Sequence, residues 1–512
     1  MTKMESLPEQ VDLALARTLS FAIAKRALFL PAWKSDAGRL DVWMTEQTDP
    51  YIFDQYRIGA KESVRPVLVS KEHLLDALQR AHQDHGMVVE NVLEDLPPSL
   101  LATQLAEKPD LLESDDDAPI IQLVNSLIIQ ALRNRASDIH IEPFENNIIV
   151  RFRVDGLLHE ALRPPKPVQA PLMSRIKVMA GLNIAEKRLP QDGAMRVQVA
   201  SQEVDVRVSV LPGSYGERLV MRLLEKQEGK TNLLELGLTE PQLEWVRTRM
   251  TASHGILLVT GPTGSGKSTT LYSVLSSINT SEKNIITIED PIEYSLAGVG
   301  QIQVAPKIGL TFASGLRSIL RQDPDVIMVG EIRDLETAEI AIQASLTGHL
   351  VFSTLHTNDS VGAVVRLVNM GIEPFLVSSS VDGVVAQRLV RKLCEQCKEP
   401  FTPERALLGQ GGGKSGSWPT GMPKDPTFFR PRGCKACMGT GYLGRTAVFE
   451  MLSMSHAIRA LIDRRASDQE LHTVAREEGM TSLREAGLVK AAMGMTSLEE
   501  VFRVTQERNE VV

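Results

Sequence analysis

The chain has 512 residues, 43% of them hydrophobic, and a formal net charge of −8, with a sequence pI near 5.8 and a mean hydropathy of −0.07. That length accommodates about three or four domains of ~150 residues each, and the acidic balance leaves no global electrostatic footprint for nucleic acid. No uncharged apolar run approaches the ~18 residues of a transmembrane helix, and Met1-Thr-Lys-Met-Glu-Ser, leading into Asp12 and Arg17, lacks a signal-peptide core, so a cytoplasmic protein is expected.

Residues 1–104 alternate short apolar runs with helical patterns, clearest at 11–21 and 73–81. Residues 105–117 contain Glu107-Lys-Pro-Asp-Leu-Leu-Glu-Ser-Asp-Asp-Asp117, an acidic stretch without caps that reads as a flexible linker. Between 118 and 230 an amphipathic helix at Pro119–Arg133 precedes strands with a period of two. In one, Ile148, Val150, Phe152 and Val154 face one way while Arg151 and Arg153 face the other. In another, Val204, Val206, Val208 and Val210 oppose Asp205, Arg207 and Ser209, so both strands carry arginine on a polar face.

From Leu236 onward strands and helices alternate, the pattern of an α/β sheet, and residues 231–393 are read as its core. The apolar run Ile256-Leu-Leu-Val-Thr260 leads directly into Gly261-Pro-Thr-Gly-Ser-Gly-Lys267-Ser268. This fits the phosphate-binding loop, in the strand–loop–helix context that the motif requires. Its glycines let backbone N–H groups turn around phosphates, Lys267 can neutralise the β/γ oxygens, and the Ser268 hydroxyl can ligate Mg²⁺. The following helix aims its positive end at the same charge. The nucleotide-binding set is therefore Gly261, Pro262, Thr263, Gly264, Ser265, Gly266, Lys267, Ser268 and Thr269, with ATP and Mg²⁺ as cofactors.

Two further apolar strands end in carboxylates: Ile285-Ile-Thr-Ile288 before Glu289-Asp290-Pro-Ile-Glu293, and Val326-Ile-Met-Val329 before Gly330-Glu331. Ligands of open α/β sheets sit at the carboxyl ends of the strands, so these acids are placed to order water and Mg²⁺. Which of Glu289 and Glu331 does which stays open. Gly330 stands where a metal-binding Asp is usual. His349 and His356 flank one more short apolar strand, and His356, at its carboxyl end, can donate to a γ-phosphate or relay its presence.

Residues 394–440 carry Cys394-Glu-Gln-Cys397 and Cys434-Lys-Ala-Cys437, two C-x₂-C knuckles 36 residues apart. Four thiolates suit a closed, structural Zn²⁺ site; a thioredoxin-like pair is the rival, disfavoured because two motifs occur together. The spacer holds the flexible Gly409-Gln-Gly-Gly-Gly-Lys-Ser-Gly-Ser417, whose Gly413-Lys-Ser415 imitates a phosphate loop without a preceding strand. Residues 441–512 are expected to be mostly helical, with helices over 453–512 and Thr496-Ser-Leu-Glu499 as a capping box.

These motifs resemble those of the secretion and type IV pilus assembly ATPases, most closely the type II secretion ATPases known as E proteins. Ile286-Thr-Ile-Glu-Asp-Pro-Ile-Glu293 looks like their "Asp box", the segment from Leu320 to Asp334 like their atypical Walker B, and Thr347-Gly-His-Leu-Val-Phe-Ser-Thr-Leu-His-Thr-Asn358 like their "His box". The similarity runs from about Asp116 to the C-terminus, through Ala136-Ser-Asp-Ile-His-Ile-Glu142, Arg151-Phe-Arg-Val-Asp-Gly156 and Pro190-Gln-Asp-Gly193, and is weak over the first hundred residues. It implies a RecA-like ATPase domain preceded by an α+β, PAS-like domain. It also implies a homo-hexamer with ATP between the arginine-rich and ATPase domains, and docking of inner-membrane platform proteins on the N-terminal domain. Membrane contact is then indirect, and no nucleic-acid partner is expected. Arg207 and Arg222 match family positions that reach the nucleotide, with Arg153 a weaker third, and such arginines couple hydrolysis to domain closure. Where family members carry Arg after Gln-Asp-Gly, this chain has Ala194. The resemblance implies an ATPase that drives pseudopilus assembly for type II secretion. A pilus-extension ATPase, a nucleotide-dependent scaffold and a DNA translocase are the alternatives.

Overall fold

The computed structural model describes residues 11–16, 18–19, 24, 27–34, 39–60, 63–82, 119–199, 202–225, 233–403, 421–423 and 426–505. The linker read at 105–117 and the spacer Gly409 to Ser417 lie outside them, as does part of the helix read at 11–21, of which Leu13–Ala16 is helical. The chain divides into two compact units, Met1–Gln227 and Glu228–Val512.

Among the described residues the first unit has one three-stranded and one six-stranded sheet, each with its own buried hydrophobic packing. In the former, β1 (Phe29–Lys34), β2 (Arg39–Met44) and β3 (Ser63–Leu68) lie in that order, antiparallel then parallel. Leu30 and Trp43 of this sheet bury against Leu74 and Leu78 of the helix Lys71–His82, which contains the helical pattern read at 73–81. The helix Pro50–Gly59 starts at a proline whose missing N–H costs nothing there, and the Asp49 side chain accepts from the Tyr51 N–H.

The six-stranded sheet has antiparallel strands ordered β6-β5-β4-β9-β8-β7. They are β4 (Ala136–Pro143), β5 (Ile148–Val154), β6 (Leu157–Leu162), β7 (Gln191–Val199), β8 (Gln202–Leu211) and β9 (Arg218–Glu225). Their alternation buries one face against the helices Pro119–Arg133 and Gln169–Met179, through Leu123, Leu127, Leu172 and Ile176. The other face keeps the arginines. Register aligns Arg153, Asp138, Arg222 and Arg207 in one row across β5, β4, β9 and β8.

The second unit is built on a seven-stranded sheet ordered β12-β11-β13-β14-β10-β15-β18. Its strands are β10 (Gly255–Thr260), β11 (Ile285–Glu289), β12 (Gly300–Gln303), β13 (Val326–Val329), β14 (Leu350–Leu355), β15 (Val381–Leu393) and β18 (Tyr442–Ser453), while β16 (Glu399–Phe401) and β17 (Phe428–Arg430) pair antiparallel in a separate two-stranded sheet. In the seven-stranded sheet all run parallel except β18. Every residue of β10, β11, β13 and β14 is buried, because helices cover both faces.

Strand β18 adds to this sheet from beyond the segment read as its core at 231–393, and the described residues after it are mostly helical, as read for the C-terminal region. It pairs with β15 from Gly383↔Ser453 to Leu393↔Tyr442, so the sheet closes only after the cysteine-bearing segment. That segment is an excursion between two antiparallel partners.

The helices that follow, His456–Asp463, Asp468–Glu477, Leu483–Ala492 and Leu498–Val504, are capped by Ser455, Ser467, Ser482 and Ser497. The final cap is thus one residue later than the box read at Thr496: Ser497 accepts from the Glu500 N–H at 3.2 Å, while the Thr496 hydroxyl donates to the Arg391 carbonyl at 2.8 Å. Glu500 does not reach back to the cap. Its carboxylate accepts from Arg391 Nη2 at 2.8 Å and from Arg503 Nε and Nη2 at 2.8 and 2.7 Å. Burial alone would raise its pKa, but these guanidinium donors hold it down at about 2. A depressed folded-state pKa means stability that is present above the ordinary carboxylate range and lost as pH falls through it toward 2. Glu500→Ala is therefore expected to cost about 3 kcal/mol at pH 7, because it removes the carboxylate partner of the partly buried Arg391, with the deficit shrinking at pH 3. Urea unfolding of the two proteins at both pH values measures this, and equal midpoints at pH 7 would show the network to be inert.

Candidate functional site

The carboxyl ends of β10, β11, β13 and β14 gather most of the residues that the sequence singles out. After β10 the chain enters the loop 261–266, and the helix Lys267–Ile278 starts from Gly266 in the left-handed region at φ 89°. Pro262, Thr263, Gly264, Ser268 and Thr269 are exposed at the mouth. Ser265 Oγ is buried without a hydrogen-bond partner. Lys267 is folded over the loop, its Nζ donating to the carbonyls of Gly261 at 2.8 Å and Pro262 at 3.2 Å. Burial pulls this ammonium down to about 8; Glu331 pulls it up, and Arg388 lowers it further. Open backbone at a helix N-terminus, an orphaned hydroxyl and a lysine with only neutral partners make a cradle suited to a phosphate chain.

Glu331 lies beyond β13, mostly buried with 14% of its side chain exposed. One oxygen accepts from Arg333, whose guanidinium also lies 3.9 Å from Asp290, and the other is 3.1 Å from His356 Nε2. Two neighbours thus aim one carboxylate, the arrangement that a water-orienting base requires. Gly330 has a packing reason to be glycine. A Cβ there would stand 3.2 Å from the Ile288 carbonyl and 3.3 Å from the Glu289 Cα, so an aspartate would press on β11.

Glu289 sits differently. It is 4% exposed and accepts from the Tyr272 hydroxyl, from Thr287 Oγ1 at 2.6 Å and from Gln301 Nε2 at 3.1 Å. Its oxygens are committed to a buried network that ties β11 to the helix Lys267–Ile278 and to β12. His349 lies at the opposite end of β14 from His356, its Nδ1 2.8 Å from the Ala344 carbonyl, where it joins a helix end to a strand start.

Sequence reasoning missed Gln387 and Arg388 on β15. The Gln387 amide contacts the phosphate loop and Arg388 contacts the loop after His356. A polar pair ending the apolar run Val384-Val-Ala386 was the available signal.

In the first unit the arginine row is anchored by one buried acid. Arg222 Nε donates to Asp138 Oδ1 at 2.9 Å, and Arg153 Nε lies 3.7 Å from the other oxygen. Arg207 stands opposite Arg222 on β8. Gripping Arg222 by Nε leaves its two terminal nitrogens outside that contact.

The cysteines meet at the far end of the β15–β18 ladder. All four thiols are reduced, with their sulfurs within 4.8 Å of one another. The pairs Cys394–Cys434, Cys397–Cys437 and Cys434–Cys437 are separated by 3.8, 3.8 and 3.7 Å. A tetrahedron with Zn–S bonds of about 2.3 Å has edges of about 3.8 Å. The N–H groups of Cys434 and Gly441 each donate to Cys437 Sγ at 3.1 Å, as suits a thiolate. The donor set fits one tetrahedral ion.

Known proteins match the chain over most of its length. Residues 113–503 match the family model described as type II/IV secretion system protein. The chain is 53% identical over 438 residues to the type II secretion system protein E of Pseudomonas aeruginosa, covering 84% of this chain and 85% of that one. It is 47% identical over 497 residues to the type II secretion system ATPase E of Vibrio cholerae, covering 96% and 97%. Among solved structures, the ATPase DotB of Legionella pneumophila shares the fold, with a TM-score of 0.54 and 22% identity over 75% of this chain and 95% of that one. With most of its length matched at such identities, the chain belongs to the type II/IV secretion system protein family.

Proposed function

We propose that this protein is the Mg²⁺-dependent ATPase motor that powers pseudopilus assembly for type II secretion. The observation that carries the reading is Glu331, aimed by His356 and Arg333 and electrostatically coupled to a lysine lying over an open phosphate loop. The near-full-length similarity to a protein named as a type II secretion ATPase supplies the biological setting.

The chain's residues divide the work. Backbone N–H groups of the loop and Lys267 bind the β- and γ-phosphates, and Ser268 is placed to hold Mg²⁺, which when bound neutralises charge developing on the phosphate oxygens. Glu331 orients the attacking water and accepts its proton. His356 fixes the rotamer of that carboxylate and donates from its other face. Arg207 and Arg222 serve as arginine fingers that stabilise transition-state charge, with Asp138 presenting Arg222. The tetracysteine knuckle holds one structural Zn²⁺. The motor works as a homo-hexamer at the cytoplasmic face of the inner membrane, reached through platform proteins on the N-terminal domain. No helix among the described residues is long and apolar enough to cross a membrane.

Steady-state ATP turnover measured against protein concentration tests the reading. Turnover should rise faster than linearly as subunits assemble and should vanish in Lys267→Ala. Phosphate release that survives Lys267→Ala would come from elsewhere and sink the assignment.

A further inference from the structure

We propose that Gln387 and Arg388, adjacent on β15, splint the two working loops of the site. Gln387 sets the phosphate loop for nucleotide binding, and Arg388 sets the loop that presents His356 to Glu331 for hydrolysis. The proposal rests on the ATPase reading and adds two positioning residues to it.

Neighbouring residues on a strand point to opposite faces, so one strand can brace elements on both sides of a sheet. Gln387 is 1% exposed. Its Nε2 donates to the Ser265 carbonyl at 2.8 Å, and its Oε1 accepts from Thr270 Oγ1 at 2.7 Å. Donor and acceptor ends are both committed, which fixes the orientation of the amide. A buried amide left unpaired costs about 1–3 kcal/mol, so the strand favours the loop conformation that satisfies it. That conformation is the useful one. The peptide group is planar and trans, so a Ser265 carbonyl turned onto β15 aims the Gly266 N–H the opposite way, into the loop.

The loop glycines are matched to the same residue. A Cβ on Gly266 would lie 2.7 Å from Gln387 Nε2, and a Cβ on Gly261 would lie 2.6 Å from the Gln387 carbonyl oxygen. Two of the motif's glycines therefore make room for β15 as well as for phosphate.

Arg388 works on the other face. Its Nη2 donates to the Asn358 carbonyl at 2.8 Å, two residues past His356. From β10, Thr260 Oγ1 accepts the Thr357 N–H at 2.9 Å. From β18, Glu450 accepts from the Ser360 N–H and hydroxyl at 2.8 and 2.6 Å. The segment after His356 is thus held from three strands, and Arg388 is the cation among those holds. Nothing places Arg388 against the reacting atoms, and its influence runs through the His356 loop.

The test uses the full chain with four substitutions, Gln387→Ala, Gln387→Glu, Arg388→Ala and Arg388→Lys, reading kcat, KM and the affinity for a fluorescent ADP analogue. Gln387→Ala should weaken nucleotide binding and raise KM by about tenfold with kcat within about threefold, the signature of lost uniform binding. Gln387→Glu should be worse, since a carboxylate cannot donate to the Ser265 carbonyl. Arg388→Ala should lower kcat by about tenfold to a hundredfold with affinity within about threefold, as expected for a small misplacement of a working group. Arg388→Lys, which keeps the charge without the planar fork, should recover only part of that loss. Unchanged affinity in both Gln387 variants overturns the first half. Unchanged kcat in Arg388→Ala, or kcat and affinity falling together with the melting temperature, overturns the second. If the wild-type chain binds ADP but shows no turnover that Lys267→Ala removes, the ATPase reading has failed instead, and binding to the Gln387 variants still decides the first half.

Discussion

Glu331→Gln is expected to lower kcat for ATP hydrolysis by roughly two to four orders of magnitude, the usual cost of losing a positioned base, while nucleotide affinity stays near that of the wild type. The glutamine keeps the size of the side chain and can still meet His356, so the loop beyond β13 has no reason to collapse. What it loses is the charge and the proton acceptor. Glu331 makes no hydrogen bond to the phosphate loop, and its effect on Lys267 is electrostatic, so ground-state binding should change little. Glu289→Gln provides the contrast. Its carboxylate accepts from Tyr272, Thr287 and Gln301 in a buried network, and an amide there turns donors onto donors. Destabilisation by about 1–3 kcal/mol is expected, with kcat falling less than in Glu331→Gln. Single-turnover measurements and thermal unfolding on both variants separate the roles. A Glu289 variant as inactive as the Glu331 variant, yet as stable as wild type, would transfer the base to Glu289.

That pair also shows where sequence reasoning stops. Both acids follow buried parallel strands, so both are legible as residues at the carboxyl edge of an α/β sheet. Which one faces the cradle depends on Tyr272, contributed by the helix behind the phosphate loop, and on Gln301 from a strand that pairs laterally. Those contacts leave no periodic trace around residue 289. The phosphate loop and the cysteine knuckles are legible for the opposite reason: their chemistry fixes residue types at fixed short spacings. The final strand is intermediate. Tyr442–Ser453 contains the buried run Ala447-Val-Phe449, compatible with a strand or a core helix, and its partner β15 lies across the whole cysteine segment. Non-local pairing of that kind is invisible to a local window. The displaced cap at Ser497 has a simpler origin, since Thr496 and Ser497 are both competent caps and tertiary contacts choose between them: the Thr496 hydroxyl is committed to the Arg391 carbonyl, and Glu500 packs against Arg391.

Removal of zinc should loosen the C-terminal helices while sparing the nucleotide-binding strands. The knuckle is wired to those helices at several points. Phe428 of β17 (Phe428–Arg430), which pairs with β16 (Glu399–Phe401), packs with Leu488, Ala491, Leu498 and Val501. Lys398 Nζ donates to the Gly494 carbonyl at 3.2 Å, and the Leu393 N–H donates to the Met495 carbonyl at 2.9 Å. The two-stranded β16–β17 sheet is too small to hold itself in water, and four thiolates on one ion would supply the constraint. In small zinc modules that contribution reaches about 10–16 kcal/mol; here the ladder of β15 and β18 keeps part of the structure without metal, and the observable loss should be smaller. Elemental analysis should find one Zn per chain. Chelation, or Cys437→Ser, should lower the melting temperature by several degrees and speed hydrogen exchange in residues 394–403, 426–441 and 483–504, leaving β10, β13 and β14 protected. Metal-free, folded protein with unchanged exchange in the last two helices would mean that the cysteines pack as a small hydrophobic cluster and that the helices are held by Glu500 and its arginines alone.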